Sequence, residues 1–309
     1  MLRAFFVHLS ENRSLRNFAE RSAIGQRVSG RFVAGTEIAD AVRVTHAVNR
    51  GGMSVSIDNL GENVTNPEEA RHSAQLYQQI LDAIAANHLS ANISLKLTHM
   101  GLDVDEVLAR ELVGGLVSRA AAMNPPGFVR VDMEGSPYTQ RTLDFVHELH
   151  RMPGCANSVG TVIQAYLKRS ESDVEKLLSE GIRIRLCKGA YKEPASIAFE
   201  SKADVDTNFI KLMRTLMKSG IYHGIASHDE HIIREAQAFA TRDKIARESF
   251  EFQMLYGIRR DLQQRLVRDG WRMRVYVPFG TEWYPYFMRR LGERPANVFF
   301  IARNMLRNW

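Results

Sequence analysis

The stretch RVYVPFGTEWYPYFMRRLGERP, residues 274–295, reads as a buried strand at Val275, Tyr276 and Val277, a loop over 278–283, and then a short helix. Pro285 suits a first helical position, because its missing N–H would be unpaired there anyway, and Pro295 bars continuation. On such a helix Tyr286, Arg289, Arg290 and Glu293 fall at i, i+3, i+4 and i+7 and share one face. An aromatic ring, two adjacent guanidiniums and a carboxylate on one face can hold a small carboxylate ligand. The same pattern also describes a solvated Arg/Glu face, and this helix alone does not decide between them.

Outward from that stretch, the strand–loop–helix unit repeats. Short β-rich runs occur at 53–57, 92–97, 128–133, 161–165, 182–187, 223–226, 250–254 and 273–277. Amphipathic helical patterns lie between them, clearest at 67–88, 104–123 and 205–219. The spacing of roughly thirty residues per unit matches a (β/α)₈ barrel of ~250 residues. An open doubly wound sheet would carry a Gly-rich phosphate turn after an early strand, and no GxGxxG or Walker sequence occurs. The fold class is therefore α/β, a TIM-like (β/α)₈ barrel over residues 51–309. Residues 1–50 look helical and polar, with Thr36 as N-cap of a helix through Val48 and Gly51–Gly52 as its stop. They form an N-terminal helical arm and not a domain.

Composition sets the class of molecule. With 45% hydrophobic and 25% charged residues in 309, the chain can bury a sizeable core. The net charge of +6 permits an acidic ligand, an anionic membrane surface or nucleic acid, but the arginines are spread out and no basic run marks a nucleic-acid tail. Cys155 and Cys187 are isolated, which fits a reducing cytoplasm. No segment is long and apolar enough to span a bilayer.

The apolar runs close on polar residues: Asp58, Lys96, Asp132 with Glu134, Gln164, Arg185 with Lys188, Ser227-His228-Asp229, Glu251 with Gln253, and Tyr276. In a closed barrel the C-terminal strand ends converge on one rim, where barrel enzymes place their chemistry. Burying so many ionisable groups is expensive unless they pair or meet a ligand, which favours an active site over a scaffold of internal salt bridges. Residues 183–194, RIRLCKGAYKEP, add Gly189 for close backbone approach and an aromatic at Tyr191. Lys188 there is open to three readings: a Schiff-base lysine, a lysine paired with a rim carboxylate, or, with Arg185, a cation holding a flavin. His228, Asp229 and His231 are weak as a metal set, because no H-x-H follows the first strand, and no metal is expected. His147 and His150 read as surface residues, and Cys187 as an inert strand residue.

Seven motifs, in order on successive strands, carry a family resemblance. They are ISLKLTHMGLD (93–103), VRVDMEGS (129–136), IQAYLKR (163–169), RIRLCKGAYKEP (183–194), ASHD (226–229), FEFQMLYG (250–257) and YVPFGTEWYPYFMRRLGERPAN (276–297). Over residues 53–297 the chain resembles proline dehydrogenase (proline oxidase) of the short monofunctional bacterial type. Ser227 stands where threonine is expected, Phe279 where tyrosine is common, and Gly292 where alanine is usual; these bear on flavin contacts and helix stability.

The resemblance implies a distorted barrel that holds FAD without a Rossmann domain, which agrees with the missing GxGxxG. It implies oxidation of L-proline to Δ¹-pyrroline-5-carboxylate, with electrons passed to a membrane quinone by a cytoplasmic protein in peripheral contact with the membrane. For the substrate it implies Arg289 and Arg290 as the carboxylate clamp, with Lys96 as a further cation and Glu293 orienting the pair. Tyr276, Tyr286, Tyr191 and Leu186 would wall the ring, and Asp132 would pair with Lys96. For FAD it implies Arg185 near N5, Gln164 near the pyrimidine edge, and Asp132, Lys188, Gly189, Ala190, Ser227, His228 and Glu251 along the rest. Two competitors remain: a lysine-dependent aldolase or lyase using Lys188 or Lys96, and a basic anion-binding protein, which leaves the rim polarity unexplained.

Overall fold

The computed structural model describes residues 30–293, with side chains described through Met288. The side chains of Arg289, Arg290 and Glu293 therefore lie outside the described residues, although their backbone belongs to the last helix.

Eight parallel strands close into a barrel in sequence order: β1 Ser54–Asn59, β2 Ala91–Leu95, β3 Val129–Val131, β4 Val159–Gln164, β5 Arg183–Cys187, β6 His223–Ala226, β7 Phe250–Leu255 and β8 Met273–Phe279. β8 closes the sheet against β1, in register from Ser54↔Arg274 to Asn59↔Phe279. The described helices are α1 Ile38–Arg50, α2 Pro67–Ala86, α3 Glu106–Ala121, α4 Ser136–Arg151, α5 Ser170–Ser179, α6 Lys202–Lys218, α7 Glu230–Arg242, α8 Arg260–Arg268 and α9 Trp283–Glu293. This is the TIM-like (β/α)₈ barrel that the strand spacing predicts.

The core lies in the annulus between sheet and helices. Val55 and Ile57, Ile93 and Leu95, Ile184 and Leu186, Val275 and Val277 alternate along their strands and are all but inaccessible. They meet apolar helix stripes such as Ala70, Ala74, Tyr77, Ile80, Leu81 and Ile84 of α2. That helix starts where the sequence says it should, with Asn66 capping the N–H of Glu69 and proline at its first position. On these four strands the residues between the apolar ones point inward and are mostly polar. Barrel interiors of this kind are usually filled by branched aliphatics, so the strict alternation of these strands already marks a barrel with a polar inside.

Three local expectations change. The first helix is capped at Glu37, not Thr36, through a capping box with Asp40, and it ends at Gly51. Its Ala41, Val44 and Val48 sit in the same core as the barrel. β8 runs to Phe279 because its ladder with β1 continues that far, and α9 starts at Trp283, so Pro285 is its third residue. His147 is buried, its Nδ1 3.0 Å from Oε1 of Glu180, rather than on the surface.

A second buried histidine makes the fold sensitive to acid. Nδ1 of His223 accepts the N–H of Ile184 at 3.0 Å, which leaves Nε2 as the donor toward Oγ of Ser219, also 3.0 Å away. Protonation would set an N–H against an N–H. Burial, with Arg130 nearby, pushes the His223 pKa down to about 3, and burial pushes His99 down to about 4. A base whose folded pKa is depressed binds fewer protons folded than unfolded. Its stabilisation is thus complete above the unfolded pKa of about 6.5 and is lost as pH falls toward the folded value. For His223 the loss is expected to reach roughly 3 kcal/mol by about pH 4. His223→Asn, which keeps an acceptor near Nδ1 and cannot be protonated there, should flatten the denaturant midpoint between pH 7 and 4. A profile parallel to wild type would contradict the assignment.

Candidate active site

Arg185 is the hub of the barrel's upper interior. From the middle of β5 its guanidinium reaches across the barrel: Nε donates to Oε1 of Gln253 (2.6 Å), Nη1 to Oδ1 of Asp132 (2.7 Å) and Oγ of Ser94 (3.0 Å), and Nη2 to Oγ of Ser56 (3.1 Å). The Tyr276 ring centroid lies 5.2 Å from its Cζ, and the Tyr276 hydroxyl donates to Oδ2 of Asp132 at 2.9 Å. Arg185 is thus locked to groups carried by β1, β2, β7 and β8 and by the residue that follows β3. A charge this deeply buried is tolerable because nearly every donor finds a partner.

Asp132 does not pair with Lys96, contrary to the sequence reading. Lys96 lies one residue past the end of β2, beside β1, and its Nζ is 3.8 Å from Oδ2 of Asp58 and 3.8 Å from Oε1 of Glu62. Burial opposes its charge, but the carboxylates of Asp58, Glu62 and Asp132 prevail and hold its pKa above the ordinary lysine value. A lysine kept protonated is a cation for a ligand, not an amine nucleophile. Lys188 is equally committed, between Oδ1 of Asp206 (2.5 Å) and Oδ2 of Asp229 (2.9 Å). Burial would raise the Asp229 pKa, but Lys188 brings it down to about 2. Both lysines are thus placed against the Schiff-base reading.

These groups surround a cavity of about 740 Å³ at the C-terminal ends of the strands. Of the residues proposed from sequence, Lys96, Asp132, Gln164, Arg185, Lys188, Gly189, Ala190, Tyr191, Ser227, His228 and Tyr276 line it. Gly189 sits at φ +105°, and a Cβ there would fall 2.2 Å from the Tyr166 ring, so only glycine lets the chain pass. His228 accepts the N–H of Leu255 through Nε2 at 2.9 Å, and the Ser227 hydroxyl accepts the N–H of Asp229 at 3.1 Å. Gln164 donates from Nε2 to the Met133 carbonyl at 3.3 Å, while its Oε1 is buried with no donor. A buried amide oxygen left short of a donor in a cavity wall fits a ligand that brings an N–H.

Three residues fall elsewhere. Glu251 is the second residue of β7, not its end. It faces the opposite half of the barrel, where Nε of Arg274 donates to it at 2.6 Å and the Tyr222 hydroxyl at 2.8 Å. Leu186 alternates with Arg185 and is fully buried in the outer annulus; the leucine that lines the cavity is Leu255. Tyr286 packs with Phe32, Trp283 and Phe287 in a cluster that seats α9, and is not among the side chains lining this cavity. Sequence reasoning missed Lys202 and Arg259, which also line it. They come from helix starts far along the chain, and no local pattern marks them.

A family model described as proline dehydrogenase matches residues 41–303. The chain is 41% identical over 308 residues to proline dehydrogenase 1 of Bacillus subtilis (strain 168), covering 99% of this chain and 100% of that one. It is 39% identical over 284 residues to proline dehydrogenase of Deinococcus radiodurans, covering 90% and 89%. Among solved structures, proline utilization A (PutA) from Bdellovibrio bacteriovorus inactivated by N-propargylglycine is similar with a TM-score of 0.80 at 25% identity, covering 86% of this chain and 32% of that one. With the closed barrel and its charged rim cavity, these likenesses lead to one conclusion: the chain belongs to the proline dehydrogenase family, as an enzyme of proline catabolism.

Proposed function

We propose that the rim cavity binds FAD non-covalently and oxidises L-proline to Δ¹-pyrroline-5-carboxylate, with a membrane quinone as final acceptor. Residues 51–309 form the catalytic barrel in this account and residues 1–50 an arm. The observation that carries the proposal is the convergence of Lys96, Asp132, Gln164, Arg185, Lys188 and Tyr276 on one cavity in a chain of this family. FAD, if bound there, would supply a two-electron acceptor for the hydride leaving proline and a route for that electron pair to the quinone.

The chain's own residues bind, orient and tune. Oε1 of Gln164, which lacks a donor, is suited to a ring N–H of the cofactor. Arg185, held rigid by its bonds, supplies fixed positive charge where electron density accumulates. Lys188, Gly189, Ala190, Ser227 and His228 line the remaining wall. On the substrate side Tyr276 and Tyr191 offer apolar faces and Lys96 stays cationic, while Arg289 and Arg290, oriented by Glu293, take the carboxylate. Cations beside the carboxylate also lower the pKa of the substrate amine, whose lone pair assists C–H cleavage. Among the described residues of the cavity, neither its cysteine nor its histidine is poised for a covalent flavin link. Burial pushes the Cys187 thiol up to about 11, and Nε2 of His228 is occupied by the Leu255 N–H.

Among the described residues no helix is long and apolar enough to cross a membrane. In the proposed reaction the quinone is met by peripheral contact with the membrane from its cytoplasmic side. Acid precipitation of the purified protein should release all its yellow colour into solution as FAD. Colour retained in the pellet would overturn the non-covalent assignment. A colourless protein trapped by borohydride with substrate on Lys188 or Lys96 would overturn the flavoenzyme.

A further inference from the structure

The polar interior of the barrel has a second, lower layer that the proposed reaction does not use. It opens on a cavity of about 490 Å³ at the N-terminal end of the strands, on the side of the barrel opposite the rim. Arg130, Arg183, Arg274 and Glu251 all line it. Three guanidiniums against one carboxylate leave a surplus of two positive charges, and Glu251 is already taken by Arg274 at 2.6 Å.

Arg130 shows the deficit most clearly. It is buried, and both its hydrogen bonds leave from Nη1, to the carbonyls of Thr161 (2.8 Å) and Arg183 (2.8 Å). Its Nε finds no acceptor. Burial, with Arg185 close by, holds its pKa well below the ordinary arginine value. A buried guanidinium with an unpaired Nε, whose nearby carboxylates Glu251 and Asp132 are already held by Arg274 and Arg185, is costly, and a bound anion supplies both acceptor and counter-charge. The chain also makes room for this arginine. A Cβ at Gly160 would fall 2.9 Å from Nη1 of Arg130 and 2.3 Å from the Arg183 carbonyl oxygen. Arg130 and Arg183 both stand over the Phe128 ring, their Cζ atoms 4.7 and 5.3 Å from its centroid, which fixes the spacing between the two forks.

The remaining wall is apolar, from Leu89, Met123, Pro125 and Phe128. We propose that this cavity is a second binding site for a small organic dianion. One carboxylate is held by Arg130 and Arg183, and a short carbon chain lies along the apolar wall. The surplus of two charges sets the ligand's charge, the guanidinium forks select carboxylate oxygens, and the volume admits a compact molecule.

The test is calorimetric titration of the holoenzyme with succinate at low ionic strength, with the rim kept saturated by tetrahydro-2-furoate so that only the lower cavity is free. Saturable binding at one site is expected, accompanied by a rise in Tm with succinate concentration. In Arg183→Met the affinity should fall at least about tenfold, since one side of a buried charge pair is removed. Arg183 is half-buried at the mouth and outside the proposed catalytic groups, so this variant should fold and keep its proline oxidation. Arg130→Met is the stricter companion, and Arg183→Met decides if it fails to fold. Absence of saturable succinate binding, or equal affinity in wild type and Arg183→Met, overturns the proposal. Inorganic phosphate serves as the control, and tight binding of phosphate without succinate would overturn the organic-anion assignment.

Discussion

Replacing Arg289 or Arg290 with methionine is expected to lower kcat/KM for L-proline by about thirty-fold to several-thousand-fold, the equivalent of roughly 2–5 kcal/mol. The two are adjacent on α9, which follows β8, the strand whose Tyr276 lines the rim cavity. The helix is held in place by Trp283, Tyr284, Phe287 and Met288 packed against Phe32 and Val33. Methionine keeps much of the arginine stem's packing and removes only the charge, so a desolvated substrate carboxylate loses a partner. Lysine should rescue poorly, because a point charge cannot reproduce the bidentate fork. Affinity for tetrahydro-2-furoate, which keeps the carboxylate and replaces the ring N–H with oxygen, should fall in parallel. Flavin content should stay near normal. Wild-type kcat/KM and analogue affinity in both variants would place the clamp elsewhere.

Arg185→Met is expected to cost roughly 3–5 kcal/mol of stability and most of the bound flavin. The change removes four hydrogen bonds and leaves Asp132, which is only slightly exposed, with Ser94, Tyr276 and the field of Lys96 but no cation in direct contact. A loss of that size corresponds to a Tm decrease of roughly 10 °C for a chain of this length. Adding Asp132→Asn should restore part of the stability, since it removes the stranded charge, and should restore none of the activity. That split separates electrostatics from packing: a cavity left by the arginine stem would not be repaired at Asp132. A single variant with wild-type Tm and full flavin would contradict the role given to Arg185.

The barrel was legible because each strand carries its apolar residues at period two and each helix its own at three to four, so the annular core is written locally. The polar partners of those strands were legible as a set but not as pairs. Lys96 and Asp132 each follow the last residue of adjacent strands, β2 and β3, yet Arg185 reaches across the barrel to Asp132, and Lys96 meets Asp58 and Glu62. Which inward groups meet depends on barrel closure and on side-chain length, and neither is encoded in a strand's own pattern. Glu251 was misplaced for a related reason. The interior has two polar layers, and FEFQ puts Glu251 in the lower and Gln253 in the upper. The alternation carries that signal when read along the whole strand, not only at its end. Leu186, which the resemblance implies as a ring wall, packs in the outer annulus, because period two turns it to the face opposite Arg185.

In the proposed reaction this chain removes a hydride from proline onto FAD bound at the rim. Anaerobic titration of the purified protein with L-proline, followed by visible absorption, tests it most directly. The oxidised flavin bands should bleach with L-proline, stay unchanged with D-proline, and return when a soluble quinone is added. A flavin spectrum that stays oxidised under excess L-proline, or a protein with no flavin spectrum at all, would contradict the account.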